Sequence, residues 1–79
     1  MTGEQLIRKA AAMRGNGNYQ DAINEIDGNR TAFDTVTLVP ALLQAFYAAQ
    51  QLGDTDQATA LAKELASLEP MLPSIQRFL

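Results

Sequence analysis

Apolar residues recur along this chain at helical spacing, in four stretches separated by polar or glycine-bearing turns. Leu6, Ile7, Ala10, Ala11 and Met13 form one face of a helix predicted from about Gly3 to Arg14. In front of it, Thr2-Gly3-Glu4-Gln5 fits a capping box, with Thr2 as cap and Gln5 reaching back to the Thr2 amide. Arg14 suits the negative carboxy-terminal end, and Gly15 and Gly17 are suited to the left-handed turn that stops the helix. A second helix is predicted after Asn18, its expected cap, with Tyr19, Ala22, Ile23 and Ile26 at the i, i+3, i+4, i+7 positions and Gly28 at its end. The connector from Asn29 to Asp34 is polar apart from Ala32 and Phe33, so Phe33 is expected to tie it to the core.

The third stretch has no charged residue from Thr35 to Gly53. Pro40, three glutamines and two threonines within it argue against a membrane span. A helix covered on two sides in a layered stack accounts for the same composition. Proline is tolerated in a first helical turn, so this helix is predicted to start near Leu38 with Thr37 as cap, or at Asp34 with a kink at Pro40. A fourth helix is expected from Asp54 or Thr55, with Ala58, Leu61, Ala62, Leu65 and Leu68 as its stripe and Pro70 marking its end. Pro73 to Leu79 could open a short fifth helix, with Ile75, Phe78 and Leu79 packing on the fourth. Such a piece is only marginally helical alone.

Two hexads set the register of these elements. Gly17-Asn18-Tyr19-Gln20-Asp21-Ala22 and Gly53-Asp54-Thr55-Asp56-Gln57-Ala58 lie 36 positions apart, each between two predicted helices. A period of this size is that of a helix–turn–helix repeat. The predicted class is all-α, built from helical hairpins. A plain hairpin bundle without repeat geometry would carry the same stripes, and no stretch alternates as a strand would.

In that register the chain resembles the tetratricopeptide repeat family. Leu6, Lys9-Ala10 and Met13 stand in the first-helix places of one unit, with Ala22 and Ile26 in its second-helix places. Leu42, Ala45-Phe46, Ala49, Ala58, Ala62 and Pro70 do so in the next. The resemblance covers about 70 of the 79 residues. It implies one domain of antiparallel hairpins, an α-solenoid fragment, over residues 1–79. One repeat spans about 3–34 and another about 35–70, with a cap or the start of a further helix in 71–79. The departures are specific. Lys9 is polar where an apolar residue is expected, and the first unit closes at Asp34 instead of proline. The period exceeds the family's roughly 34 residues, which lengthens the connector. Phe46 and Ala49 exchange the small and aromatic places, so Phe46 is expected to fill the space that Ala49 leaves.

Composition narrows the chemistry. Cys 0 and His 0 exclude disulfides, thiol nucleophiles and the usual zinc ligand sets. A net charge of −3 offers little attraction to a phosphate backbone, and the small patch of Arg8, Lys9 and Arg14 has no interleaved aromatics, so no nucleic-acid partner is expected. The first residues lack the basic and apolar regions of a signal peptide, which makes a cytoplasmic location the expectation, although a domain of a longer exported chain would read the same. Asp21 with Glu25, and Asp54 with Asp56, read as solvated faces and amino-terminal dipole partners rather than an acid–base pair. Asp54-Thr55-Asp56 lacks the later ligands of a calcium loop, and the Asn29-Arg30-Thr31 sequon matters only on secretion. The chain is expected to be no enzyme and to need no cofactor, metal or membrane.

The resemblance implies a binding role. In the family, first helices line a concave groove that receives peptides or partner helices. Here those places hold Ile7, Arg8, Ala11 and Arg14, then Leu43, Gln44, Tyr47, Gln50 and Gln51. The candidate partner-binding residues are Arg8, Arg14, Leu43, Gln44, Tyr47 and Gln51. Amides and a hydroxyl can both donate and accept, and the two arginines would suit a peptide with an acidic residue. Polar groups that simply face water are the plain alternative. The family's chaperone-tail clamp is not expected, because its lysine and asparagine places hold Ile7, Ala11 and Gln44. The second functional expectation is a structural or oligomerisation element. About three repeats are usually needed to bury a sufficient core, and this chain has no disulfide or metal staple.

Overall fold

The computed structural model describes residues 1–78, the side chain of Arg77 excepted, and among them the regular structure is entirely helical. Helices α1 (Gly3–Gly15), α2 (Tyr19–Asp27), α3 (Leu38–Leu52) and α4 (Thr55–Leu68) are joined by a 3-10 turn at Arg30–Ala32 and followed by a 3-10 segment, Pro73–Phe78. Among the described residues, no helix is long and apolar enough to cross a membrane.

The two hexads form equivalent turns. After α1, Gly17 at φ +80° donates its N–H to the Arg14 carbonyl at 3.0 Å, and Asn18 donates to the Met13 carbonyl at 2.8 Å. After α3, Gly53 at φ +79° donates to Gln50 at 3.1 Å, and Asp54 donates to Ala49 at 3.0 Å. Both are Schellman closures, which need a residue that accepts the left-handed region without Cβ strain. Gly17 does this after α1, whereas Gly15 still belongs to the helix. The caps that follow are unequal. The Asp54 carboxylate accepts the Gln57 amide at 3.1 Å, but the Asn18 side chain makes no capping bond.

The amino terminus of α1 carries the expected capping box, Gln5 amide to Thr2 Oγ1 at 3.2 Å and Thr2 amide to Gln5 Oε1 at 2.8 Å. Thr37 stands at the cap position of α3, as expected, but its side chain makes no capping bond. The Asp34 carboxylate accepts the amides of Val36 and Thr37 at 3.0 and 2.9 Å, and Thr37 Oγ1 accepts the Asp34 amide at 3.0 Å. The turn Thr35–Thr37 thus leads into the helix, and Pro40 sits in the first turn of α3, where a missing N–H costs least.

These bonds hold the Asp34 and Asp54 carboxyls below their ordinary range, chiefly through the backbone amides of Thr37 and Gln57. A group whose folded pKa is depressed contributes stability above its unfolded pKa and loses it as pH falls through the folded value. Urea midpoints measured by circular dichroism are expected to stay flat from neutral pH to about 5 and to decline below about 4. In Asp34→Asn that acid-side decline should be shallower.

Short turns make α1 and α2, and likewise α3 and α4, antiparallel neighbours. The two hairpins then lie side by side in the same sense. Near the start of both first helices, a Cβ on Gly3 would come within 3.0 Å of Thr37 Oγ1 and 3.2 Å of Phe33, so the glycine permits this close approach. At their ends, Arg14 reaches Gln51. On the other layer, Gln20 of α2 accepts from Gln57 of α4 at 2.9 Å, and Arg30 reaches Glu64. The molecule is 17 Å across its thinnest direction, consistent with two helices in depth.

Helix α3 packs against α1, α2 and α4, which explains its lack of charge. Ala41, Leu42, Ala45, Phe46, Ala48 and Ala49 are all buried. They form one core with Ala10 of α1, Ala22, Ile23 and Ile26 of α2, and Ala58, Leu61, Ala62 and Leu65 of α4, with Phe33 packed at the margin; Leu6 of α1 is buried as well. Ala11 and Leu68, read as stripe residues, are exposed instead. Lys9 is polar because its ammonium pairs with Glu25 of α2 at 3.0 Å.

The carboxy-terminal segment is 3-10 rather than α; it packs on α4 and reaches the middle of α3 at Phe46 and Tyr47. Ile75 is fully buried, and Phe78 meets Phe46 edge-on at 5.2 Å between centroids. Leu79, expected to pack on α4, lies outside the described residues.

The second layer is tied by Arg30, which donates to Asp27 Oδ1 at 2.8 Å and to both carboxylate oxygens of Glu64. These carboxylates, Glu64 foremost, raise Arg30 above its ordinary value. The partners are more than a third exposed, so solvent screens much of the attraction. A double-mutant cycle with Arg30→Ala and Glu64→Ala is expected to give a coupling of about 0.5–1 kcal/mol that shrinks in high salt.

Candidate functional site

The side-by-side hairpins bring four of the six candidate residues together at the seam between α1 and α3. Arg14 stands in the last turn of α1, where a cation is favoured by the helix dipole. Gln44, Tyr47 and Gln51 lie at spacings of three and four along α3, hence on one face. Arg14 Nε donates to Gln51 Oε1 at 2.8 Å, and Arg14 Nη1 donates to Gln44 Oε1. The guanidinium carbon lies 5.1 Å from the centroid of the Tyr47 ring, within cation–π range. On the far side, Tyr47 Oη shares a hydrogen bond with Ser74 Oγ at 2.9 Å.

The cluster is ordered without being closed. Arg14, Gln44, Tyr47 and Ser74 are half-buried and Gln51 is exposed. Two neutral carbonyls and an aromatic face hold the guanidinium, and no carboxylate pairs with it among the described residues. Beyond Tyr47 the surface opens into a shallow depression lined by Tyr47, Gln50, Pro73, Ser74 and Gln76. A polar track therefore runs from the end of α1, across α3, to the carboxy-terminal segment.

The other two candidates differ. Leu43 is half-buried and packs against the core, beside Gln44 on the chain. Arg8 joins none of the cluster's bonds. It pairs with Glu4 one turn back at 3.7 Å, with both side chains over 70% exposed. Its pairing is therefore that of a solvated helix face.

Ser74 was not among the candidates, and nothing in its spacing marks it, since its partner lies on a different helix. Three other groups considered for chemistry have structural partners. Glu25 takes Lys9, Asp54 caps α4, and Asn29 of the sequon donates its amide to the Glu25 carbonyl at 2.7 Å. On the opposite layer a cleft of about 210 Å³ lies between α2 and α4, lined by Ile23, Asn24, Gln57 and Leu61 and by the Asp27–Arg30–Glu64 ion group.

No protein-family model matches this chain, and neither a curated protein nor a solved structure matches it.

Proposed function

We propose that this chain is a non-enzymatic protein-interaction module of tetratricopeptide-repeat type, which takes a peptide or a partner helix on the α1–α3 face. The observation that carries the reading is the cluster of Arg14, Gln44, Tyr47 and Gln51 at the seam of two first helices. Its donors and acceptors are held in place by each other, so less side-chain entropy is lost when a partner arrives. The same sense of the two hairpins supports the repeat assignment, as do the matched glycine turns. The cytoplasm is the proposed location.

The test is selection from a random peptide library displayed against the full chain. Selected peptides are expected to bind the parent, and Tyr47→Ala is expected to weaken them about tenfold or more while the chain stays folded. Peptides that bind Tyr47→Ala as well as the parent would overturn the assignment of this face.

A second reading, a structural or self-associating element, draws on a different end of the molecule. Val36 and Met71 are 77% and 82% exposed, and Leu68 is 44% exposed beside a depression lined by Thr35, Leu38, Val39 and Glu69. Apolar exposure of this kind on a small two-hairpin domain favours contact with further repeats or another copy. A solution mass equal to the monomer at micromolar concentration would count against self-association as the essential role.

A further inference from the structure

We infer that Arg14 is the anchor for a carboxylate, and that the partner segment is one in which a single aspartate or glutamate stands beside apolar side chains. The inference rests on the binding role proposed above and names its partner's chemistry.

Charge sets Arg14 apart. The chain carries nine acidic and six basic residues, so carboxylates are in excess. Arg8 pairs with Glu4, Lys9 with Glu25, and Arg30 with Asp27 and Glu64. Arg14, half-buried, has no such partner among the described residues. The helix facing it contains no charge from Thr35 to Gly53. The negative end of α1 offsets roughly half a charge, and that effect falls off within the last turn.

The geometry specifies how the carboxylate would bind. Nε and Nη1 are given to Gln51 and Gln44, and the Tyr47 ring lies within cation–π distance of the guanidinium. Nη2 remains without a partner among the described residues, with two N–H donors in a plane already fixed by three neighbours. A carboxylate oxygen there completes a charge-assisted hydrogen bond without ordering a free arginine. Ile7 and Leu43, half-buried on the same two helices and packed against the core, provide the apolar surroundings. Arg8 is screened by Glu4 and does not share the task.

The experiment is the same library selection, sequenced for the parent, Arg14→Gln and Arg8→Gln. Parent and Arg8→Gln are expected to enrich an acidic residue at one position, and Arg14→Gln to lose that enrichment. A selected acidic peptide should bind its own Glu→Gln or Asp→Asn analogue's target at least about tenfold more tightly than that analogue does, with the difference shrinking in salt. Because Arg14→Gln removes bonds between α1 and α3, the parent protein supplies an independent readout. Its Arg14 Nε–H resonance should shift with the acidic peptide and not with the amide analogue. Peptides that bind this face with no acidic preference would overturn the inference and leave the binding role standing. A library that yields no binder would overturn both.

Discussion

Replacing Phe46 by alanine is expected to destabilise the chain by about 3–5 kcal/mol. Phe46 is fully buried at the centre of α3, and it touches the rings of Tyr47 and Phe78 at 5.9 and 5.2 Å between centroids. A core in a domain this small rarely supplies more than about 3–5 kcal/mol of net stability, so the variant should be largely unfolded at room temperature. Phe46→Leu, which keeps much of the volume, should lose less. Urea titration followed by circular dichroism reads both. A Phe46→Ala protein with the parent's midpoint would contradict the volume exchange, in which Phe46 occupies the room that Ala49 leaves.

The second large effect is expected at Ile75. It is fully buried on a segment with no α-helical hydrogen bonding of its own, whose local amide contacts are as long as 3.4 Å. Burial of Ile75 holds that segment together with the side-chain bonds of Ser74 and Gln76, so Ile75→Ala should cost about 2–5 kcal/mol and loosen the stretch from Pro73 to Phe78. Loss of the segment uncovers Phe46, so the two substitutions should combine non-additively. Amide exchange in α4 is expected to accelerate in Ile75→Ala before that in α1. Unchanged stability in Ile75→Ala would mean that four helices close the core alone.

Much of this architecture was legible locally, because caps and turns are decided by neighbours in sequence. Thr2 with Gln5, Gly17, Gly53 and Asp54 all act within five residues of their partners. Asp34 shows where local rules compete. Thr37 holds the cap position of α3, but its hydroxyl is engaged with Asp34, whose carboxylate takes the amides of Val36 and Thr37. Pairs between helices were not legible. Arg30 with Glu64, Lys9 with Glu25, and Tyr47 with Ser74 depend on how elements pack, and an amphipathic stripe says which face is inward without saying which polar rim meets which. The seam of Arg14 with Gln44 and Gln51 is intermediate. The hexad register makes the first helices equivalent, and only their parallel placement brings residues 30 and 37 positions apart into contact. The family resemblance places both Arg8 and Arg14 on the groove side of α1, yet they lie six residues apart, and only Arg14 is in the last turn, beside Gln51.

The claim that α1 and α3 form the partner-binding face is tested most directly by mapping amide and side-chain resonances of the isotopically labelled chain with a selected peptide. Shifts are expected to concentrate at Arg14 Nε–H, the Gln44 and Gln51 side-chain amides, and the backbone around Leu43 and Tyr47. Shifts concentrated in the α2–α4 cleft around Asn24, Gln57 and Leu61, or at Val36, Leu68 and Met71, would contradict it.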